Sequence, residues 1–238
     1  MSGPGTDGRP DAQTGDQVAA ERRFGLRALL AALALILVTV PFALLLFLVE
    51  DAWPPLERLD AGARDRLHGY AVDHSAFVTA MKTLSRLGSG VAYLLVFAAV
   101  TWWLLRRRRP RMAVFVVVTV LGSSLLNLAV KVTVNRARPV LPDPVAHAHG
   151  FSFPSGHAQA AVVGYGVLLI VFLPLLTGAW RVVAVAGSAV LVLGIGFSRV
   201  ALGVHYVSDV VAGYLLGAAW LLAMTAAFRA WQREESGR

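Results

Sequence analysis

Two histidines and one aspartate, set among cations at the edges of long apolar runs, are the residues of this chain best suited to chemistry. His205 and Asp209 are four positions apart, so on a helix they share a face; the carboxylate can accept the Nδ1 proton and leave Nε2 with a free lone pair. That pair reads as a nucleophile with its orienter. His157 follows Pro154-Ser155-Gly156, where Ser155 can cap a helix starting at Gly156. The free amides and positive dipole end of such a helix attract an anion, and glycine permits its close approach. His157 can then donate a proton to a departing oxygen and later take one from water. Lys131, Arg138 and Arg199 add three cations, which require a dianion, and a guanidinium matches phosphate oxygens in bidentate fashion. Two histidines, one carboxylate and this anion site supply covalent phosphoryl transfer.

A binuclear metal site would need several carboxylates beside the histidines. Only Asp143 and Asp209 stand near them, so no metal or other cofactor is expected. The absence of cysteine excludes disulfides and thiolate chemistry. His147 and His149 lack a third ligand and read as loop or headgroup contacts. For Arg136, a solvated or headgroup-facing role and a phosphate contact both stay open.

The elements that must position these groups are membrane helices. The composition is 57% hydrophobic and 15% charged, against roughly 25% charge in a soluble domain. Uncharged runs cover Ala28 to Val49, Leu87 to Leu105, Met112 to Val130, Ala158 to Trp180, Val182 to Ser198 and Val210 to Phe228. About 20 apolar residues cross the hydrocarbon core, so the fold class is an all-α, polytopic bundle of six transmembrane helices. Runs of this length exclude a β-barrel, whose strands alternate over about ten residues. The membrane domain spans 22–232, with cytoplasmic tails at 1–21, which is disordered by composition, and at 233–238. Pro41 is expected to kink the first helix.

An even number of crossings separates the three polar clusters, so all meet the membrane on one side. The arginine-rich turn Arg106 to Arg111 faces the cytoplasm by the positive-inside rule, which puts both termini inside and the clusters outside. The net charge of +8 reports that orientation and attraction to anionic lipid; no nucleic-acid module is present. In the outer connection from Glu50 to Arg86, Phe77, Val78, Met81, Leu84 and Leu87 recur at helical spacing. They fit either an interfacial helix or a connector packed on the bundle. Gly213-x-x-x-Gly217 reads as close packing within the bundle, and Ser123, Ser124 and Asn127 as interhelical hydrogen bonds.

Lys131-x6-Arg138-Pro139, Pro154-Ser155-Gly156-His157 and Ser198-Arg199-x5-His205-x3-Asp209 resemble the three signature motifs of the type 2 phosphatidic acid phosphatase superfamily at every fixed position. The resemblance covers about residues 24–230 and implies a metal-independent lipid phosphate phosphatase forming a phosphohistidine at His205. By the same resemblance Lys131, Arg138, Ser155, Gly156 and Arg199 bind phosphate, His157 is the proton donor and Asp209 the orienting acid. The expected reaction is hydrolysis of a lipid phosphate or diphosphate at the outer face of a bacterial cell membrane. A polyprenyl diphosphate such as undecaprenyl diphosphate is slightly favoured over a phosphatidic acid-like lipid. The alternatives are a lipid phosphotransferase and a non-catalytic lipid-phosphate binding or transport protein. The partners expected are the lipid substrate and the bilayer; oligomeric state stays open.

Overall fold

The computed structural model describes residues 11–236. Its helices are α1 (Asp11–Glu50), α2 (Pro54–Asp73), α3 (Ser75–Arg86), α4 (Gly90–Arg106), α5 (Pro110–Val134), α6 (Gly156–Phe172), α7 (Ala179–Ala201) and α8 (Val207–Ser236). A short 3-10 turn, Leu173–Leu175, follows α6. No strand occurs among the described residues. Among the described residues, six segments are long and apolar enough to cross a membrane: Leu29–Glu50, Ser75–Arg106, Pro110–Val134, Gly156–Leu175, Ala179–Ala201 and Val207–Arg229.

These segments contain or overlap the six apolar runs, with differences at the ends. Helix α1 begins at Asp11 and continues through Pro41, so it enters the stretch assigned to a disordered tail; the rest of that stretch, 1–10, lies outside the described residues. Helix α8 likewise continues beyond residue 232 to Ser236, and 237–238 lie outside. The amphipathic stretch before the second run becomes α3, which packs against α7. Only a tight turn separates it from α4, whose start is capped by Ser89 Oγ accepting from Ala92 N at 3.4 Å. This contact is the one expected of a connector packed on the bundle.

The apolar core lies between α4, α5 and α6, where Phe97 and Leu104 meet Phe115, Val116, Val163 and Val167. Large apolar side chains on the outer surface, such as Val91, Leu95, Leu125 and Val190, are exposed as a lipid-facing surface requires. Polar ties cross this interior. Asn127 Nδ2 donates to Gln159 Oε1 at 2.7 Å, and Gln159 Nε2 donates to the carbonyl and hydroxyl oxygens of Ser123, each at 2.9 Å. Ser124 instead bonds within its own helix, to Val120 O.

Helix α8 lies against α6 at its two glycines. A Cβ at Gly213 would come within 2.6 Å of Ser155 O, and one at Gly217 within 3.0 Å of Gln159 O. Small residues here let two backbones touch beside the start of α6.

Candidate active site

The ends of α5 and α7 and the starts of α6 and α8 meet at one end of the bundle. After α7, Gly203 takes a φ of 69°, a left-handed conformation that glycine adopts without strain. This turn sends the amides of Val204 and His205 back to Arg199 O, at 3.2 and 3.3 Å, and sets His205 beside Arg199.

Because α8 begins at Val207, His205 lies in the turn before it, and the two acid–base partners do not share a helical face. Their proximity has another cause. Asp209, in the first turn of α8, bends back so that Oδ2 accepts from Tyr206 N at 2.9 Å, half of a capping box. The same oxygen stands 3.3 Å from His205 Nδ1 and accepts from Ser152 Oγ, while Oδ1 accepts from Arg136 Nη1 at 2.7 Å. Asp209 is thus a fully buried carboxylate held by donors on every side.

On the other side of the imidazole, Arg138 Nη1 stands 3.2 Å from Nε2. A guanidinium only donates, so Nε2 is the acceptor and the proton resides on Nδ1, facing Asp209. Burial pushes His205 down to about 4; Asp209 opposes this, and the charges of Arg138 and Arg199 add to it. The ring is therefore neutral at neutral pH, with its lone pair aimed at cations.

Backbone carbonyls hold two of the cations, Lys131 and Arg138. Lys131 Nζ donates to Phe151 O at 2.7 Å and to Ser152 O at 3.4 Å. Arg138 donates to Gly150 O, Val204 O and His149 O at 2.9, 2.7 and 3.1 Å. His149 thus contributes its carbonyl. Arg199 Nη1 donates to Ser85 Oγ of α3 at 2.5 Å, while its buried Nε has no partner.

Ser155 occupies the N-cap position of α6 but makes no capping bond, a correction to the expected role. Its amide is pinned to Asp209 O at 2.9 Å, which ties α6 to α8, and its buried hydroxyl has no partner. Two polar atoms, Ser155 Oγ and Arg199 Nε, are thus buried unsatisfied within the predicted anion site. Leaving such an atom unpaired costs about 1–3 kcal/mol, which an oxyanion accepting from it would relieve. Gly156 packs close to Asn127, whose Oδ1 would stand 3.2 Å from a Cβ there.

His157 is the second residue of α6, half-buried beside the turn between α3 and α4. A Cβ on the neighbouring Gly88 would lie 3.5 Å from its Cδ2. It borders a cavity of about 200 Å³ shared with Tyr93, Ser123 and Asn127, and the buried Tyr93 hydroxyl is without a partner. His157 interacts electrostatically with Arg199, His205, Arg138 and Lys131, so the predicted residues form one cluster.

Four residues of this region had no place in the motif reading: Ser85, Ser152, Asp60 and, in any definite role, Arg136. Arg136 is largely buried and pairs with Asp209 and with Asp60 Oδ2, the latter at 2.9 Å. Burial opposes its charge, but the two carboxylates outweigh that and hold its proton more firmly than in solution. Asp60 lies in α2, between the first two spans, and Ser85 in α3, at the start of the second, both at no set spacing from the motifs. Among the described residues, no three His, Cys, Asp or Glu side chains are disposed to hold a metal ion.

Residues 112–233 match the PAP2 superfamily. Phosphatidylglycerophosphatase B of Bacillus subtilis (strain 168) is 42% identical over 96 residues, which are 39% of this chain and 46% of that protein. Bacitracin transport permease protein BcrC of Bacillus licheniformis is 31% identical over 137 residues, 55% of this chain and 63% of that protein. The matches therefore span about half to under two thirds of these curated relatives. Among solved structures, a transmembrane PAP2 type phosphatidylglycerolphosphate phosphatase from Bacillus subtilis superposes with a TM-score of 0.72 at 23% identity, over 81% of this chain and 94% of that one. LpxE of Aquifex aeolicus gives a TM-score of 0.56 at 20% identity, over 71% and 95%. With the matched segment holding all three motifs and the fold shared with a transmembrane PAP2 type protein, this integral membrane protein belongs to the PAP2 superfamily.

Proposed function

We propose that the protein hydrolyses a membrane lipid phosphate through a phosphohistidine at His205. The observation that carries this reading is the His205 ring itself, protonated on Nδ1 toward Asp209 and presenting its Nε2 lone pair to Arg138. In the first step Nε2 attacks phosphorus, the N–P bond forms and the P–O bond to the lipid breaks. Arg138 leaves Nε2 for a phosphate oxygen, and Lys131, Arg199, Ser155 and the Gly156 amide bind the others. Asp209 stabilises the cationic ring, and His157 delivers a proton to the departing oxygen. In the second step water attacks phosphorus, His157 takes its proton, the N–P bond breaks and inorganic phosphate leaves.

The cavity beyond His157 is suited to the polar part of the leaving group. The arginine-rich turn Arg106 to Arg111, at the opposite end of the bundle, supports an outward-facing site by the positive-inside rule. Similarity to a protein named phosphatidylglycerophosphatase B makes a glycerophospholipid monoester the first substrate to try, ahead of the polyprenyl diphosphate favoured by the sequence alone.

Phosphate release from phosphatidylglycerophosphate, phosphatidic acid and undecaprenyl diphosphate, measured in detergent with a chelator present, tests the proposal. Hydrolysis of at least one lipid that survives chelation and is blocked by orthovanadate is expected. No release from any of them would leave a lipid-phosphate binding or transport protein, and transfer to an added alcohol would indicate a phosphotransferase.

A further inference from the structure

Asp60 has no part in the scheme above, yet it is among the most deeply buried acids of the described residues, only 1% exposed. It projects from α2 and takes three donors. Ser208 N reaches Oδ1 at 3.0 Å, while Ser208 Oγ and Arg136 Nη2 both donate to Oδ2, the latter at 2.9 Å. Arg136 in turn places Nη1 2.7 Å from both Ser208 Oγ and Asp209 Oδ1, and its guanidinium lies 4.3 Å over the Tyr206 ring. One arginine therefore clamps two buried carboxylates, and the second of them orients the His205 ring.

The charge count gives this clamp a chemical consequence. Two carboxylates against one guanidinium leave a net negative charge behind the Nδ1 side of His205. Without Asp60, the guanidinium would be matched by Asp209 alone, and the imidazole would face a neutral pair. A negative partner stabilises the cationic ring that forms when Nε2 is phosphorylated.

We propose that Asp60 is a positioning residue for this reaction: through Arg136 it fixes the Asp209 carboxylate and keeps net negative charge behind the His205 ring. The inference rests on the reading of His205 as the nucleophile. It makes α2, which carries none of the motifs, part of the working site.

The other groups facing His205 are Asp209 of α8, Arg138 and Ser152 of the loop before α6, His157 of α6 and Arg199 of α7, with Lys131 of α5 in the same charge cluster. None of these changes in Asp60→Asn or Arg136→Gln, so the two variants isolate the clamp. Asp60→Asn removes the extra negative charge and lowers the His205 pKa; Arg136→Gln removes the positive charge and raises it. Both lower kcat by about 10- to 100-fold, the usual cost of losing such an outer partner, with KM little changed. Asp60→Glu, which keeps the charge, recovers most of the loss.

The test uses the full chain in lipid nanodiscs. Kinetics on the lipid found to be hydrolysed are paired with a nitrogen NMR titration of His205, which needs no turnover. Shifts of opposite sign in the two variants, with a fall in kcat, are expected. A merely structural role predicts lower thermal stability but no opposed shifts, and unmoved titration or undiminished kcat per folded enzyme overturns the proposal. If Asp60→Asn does not fold, the double variant Asp60→Asn/Arg136→Gln, which leaves no unpaired guanidinium, takes its place: a His205 pKa below that of Arg136→Gln upholds the charge of Asp60, and an equal one refutes it. If the wild-type chain hydrolyses no lipid, the phosphatase reading falls while the titration still decides the Asp60 link.

Discussion

Arg138 Nη1 stands 3.2 Å from Nε2 of His205, so in the resting protein the lone pair of the proposed nucleophile is covered by the cation that would receive the phosphate. Burial and the neighbouring arginines hold this imidazole neutral, its pKa lowered from 6.5 to about 4. Between those values the unfolded chain binds the proton and the folded one does not. The contribution of His205 to stability is therefore complete above pH 6.5 and shrinks as pH falls toward 4. Nitrogen NMR of histidine-labelled protein should show His205 as the Nδ1–H tautomer at pH 6, with protonation only near pH 4. A midpoint at 6 or above would contradict this environment.

His205→Ala should abolish phosphoenzyme formation. Asp209→Asn should slow it by about 10³- to 10⁴-fold, by analogy with a triad that loses its orienting acid, while leaving lipid binding largely intact. Rapid-quench measurement of acid-labile phosphoprotein separates the two effects. Substantial turnover by the His205 variant would refute the assignment.

His157→Ala should discriminate between leaving groups. General-acid help is worth about 10² to 10⁴ in rate for a basic alkoxide and far less for an acidic phenolate or phosphate. The variant should be nearly inactive on a phosphatidic acid-type monoester, yet form phosphoenzyme from p-nitrophenyl phosphate at a relatively spared rate and accumulate it as a burst. Equal losses for good and poor leaving groups would make His157 a phosphate ligand.

The absence of native cysteine allows a direct test of orientation. A cysteine replacing Arg108 should label only from the cytoplasmic side, and one replacing Ala146 only from outside. The reverse pattern would invert the topology and move phosphate release into the cytoplasm.

The sequence by itself determined the number of membrane crossings and the side-by-side placement of the three motifs. Both follow from one-dimensional properties: run length against bilayer thickness, and the parity of crossings between clusters. It also identified His205 and Asp209 as partners, although the contact comes from a capping turn ahead of α8 and a shared helical face was expected. What only the tertiary structure decided is the division of labour among the cations. Arg136 and Arg138 are two residues apart in a loop without periodicity, entered through Asn135 at a left-handed φ of 51°. One turns to the acid pair and the other to the imidazole. Asp60 meets Arg136 across 76 residues and Ser85 meets Arg199 across 114, contacts that no spacing rule encodes. They arise because the packing of α2 and α3 on the bundle buries a carboxylate and a hydroxyl where a buried charge or donor must find a partner.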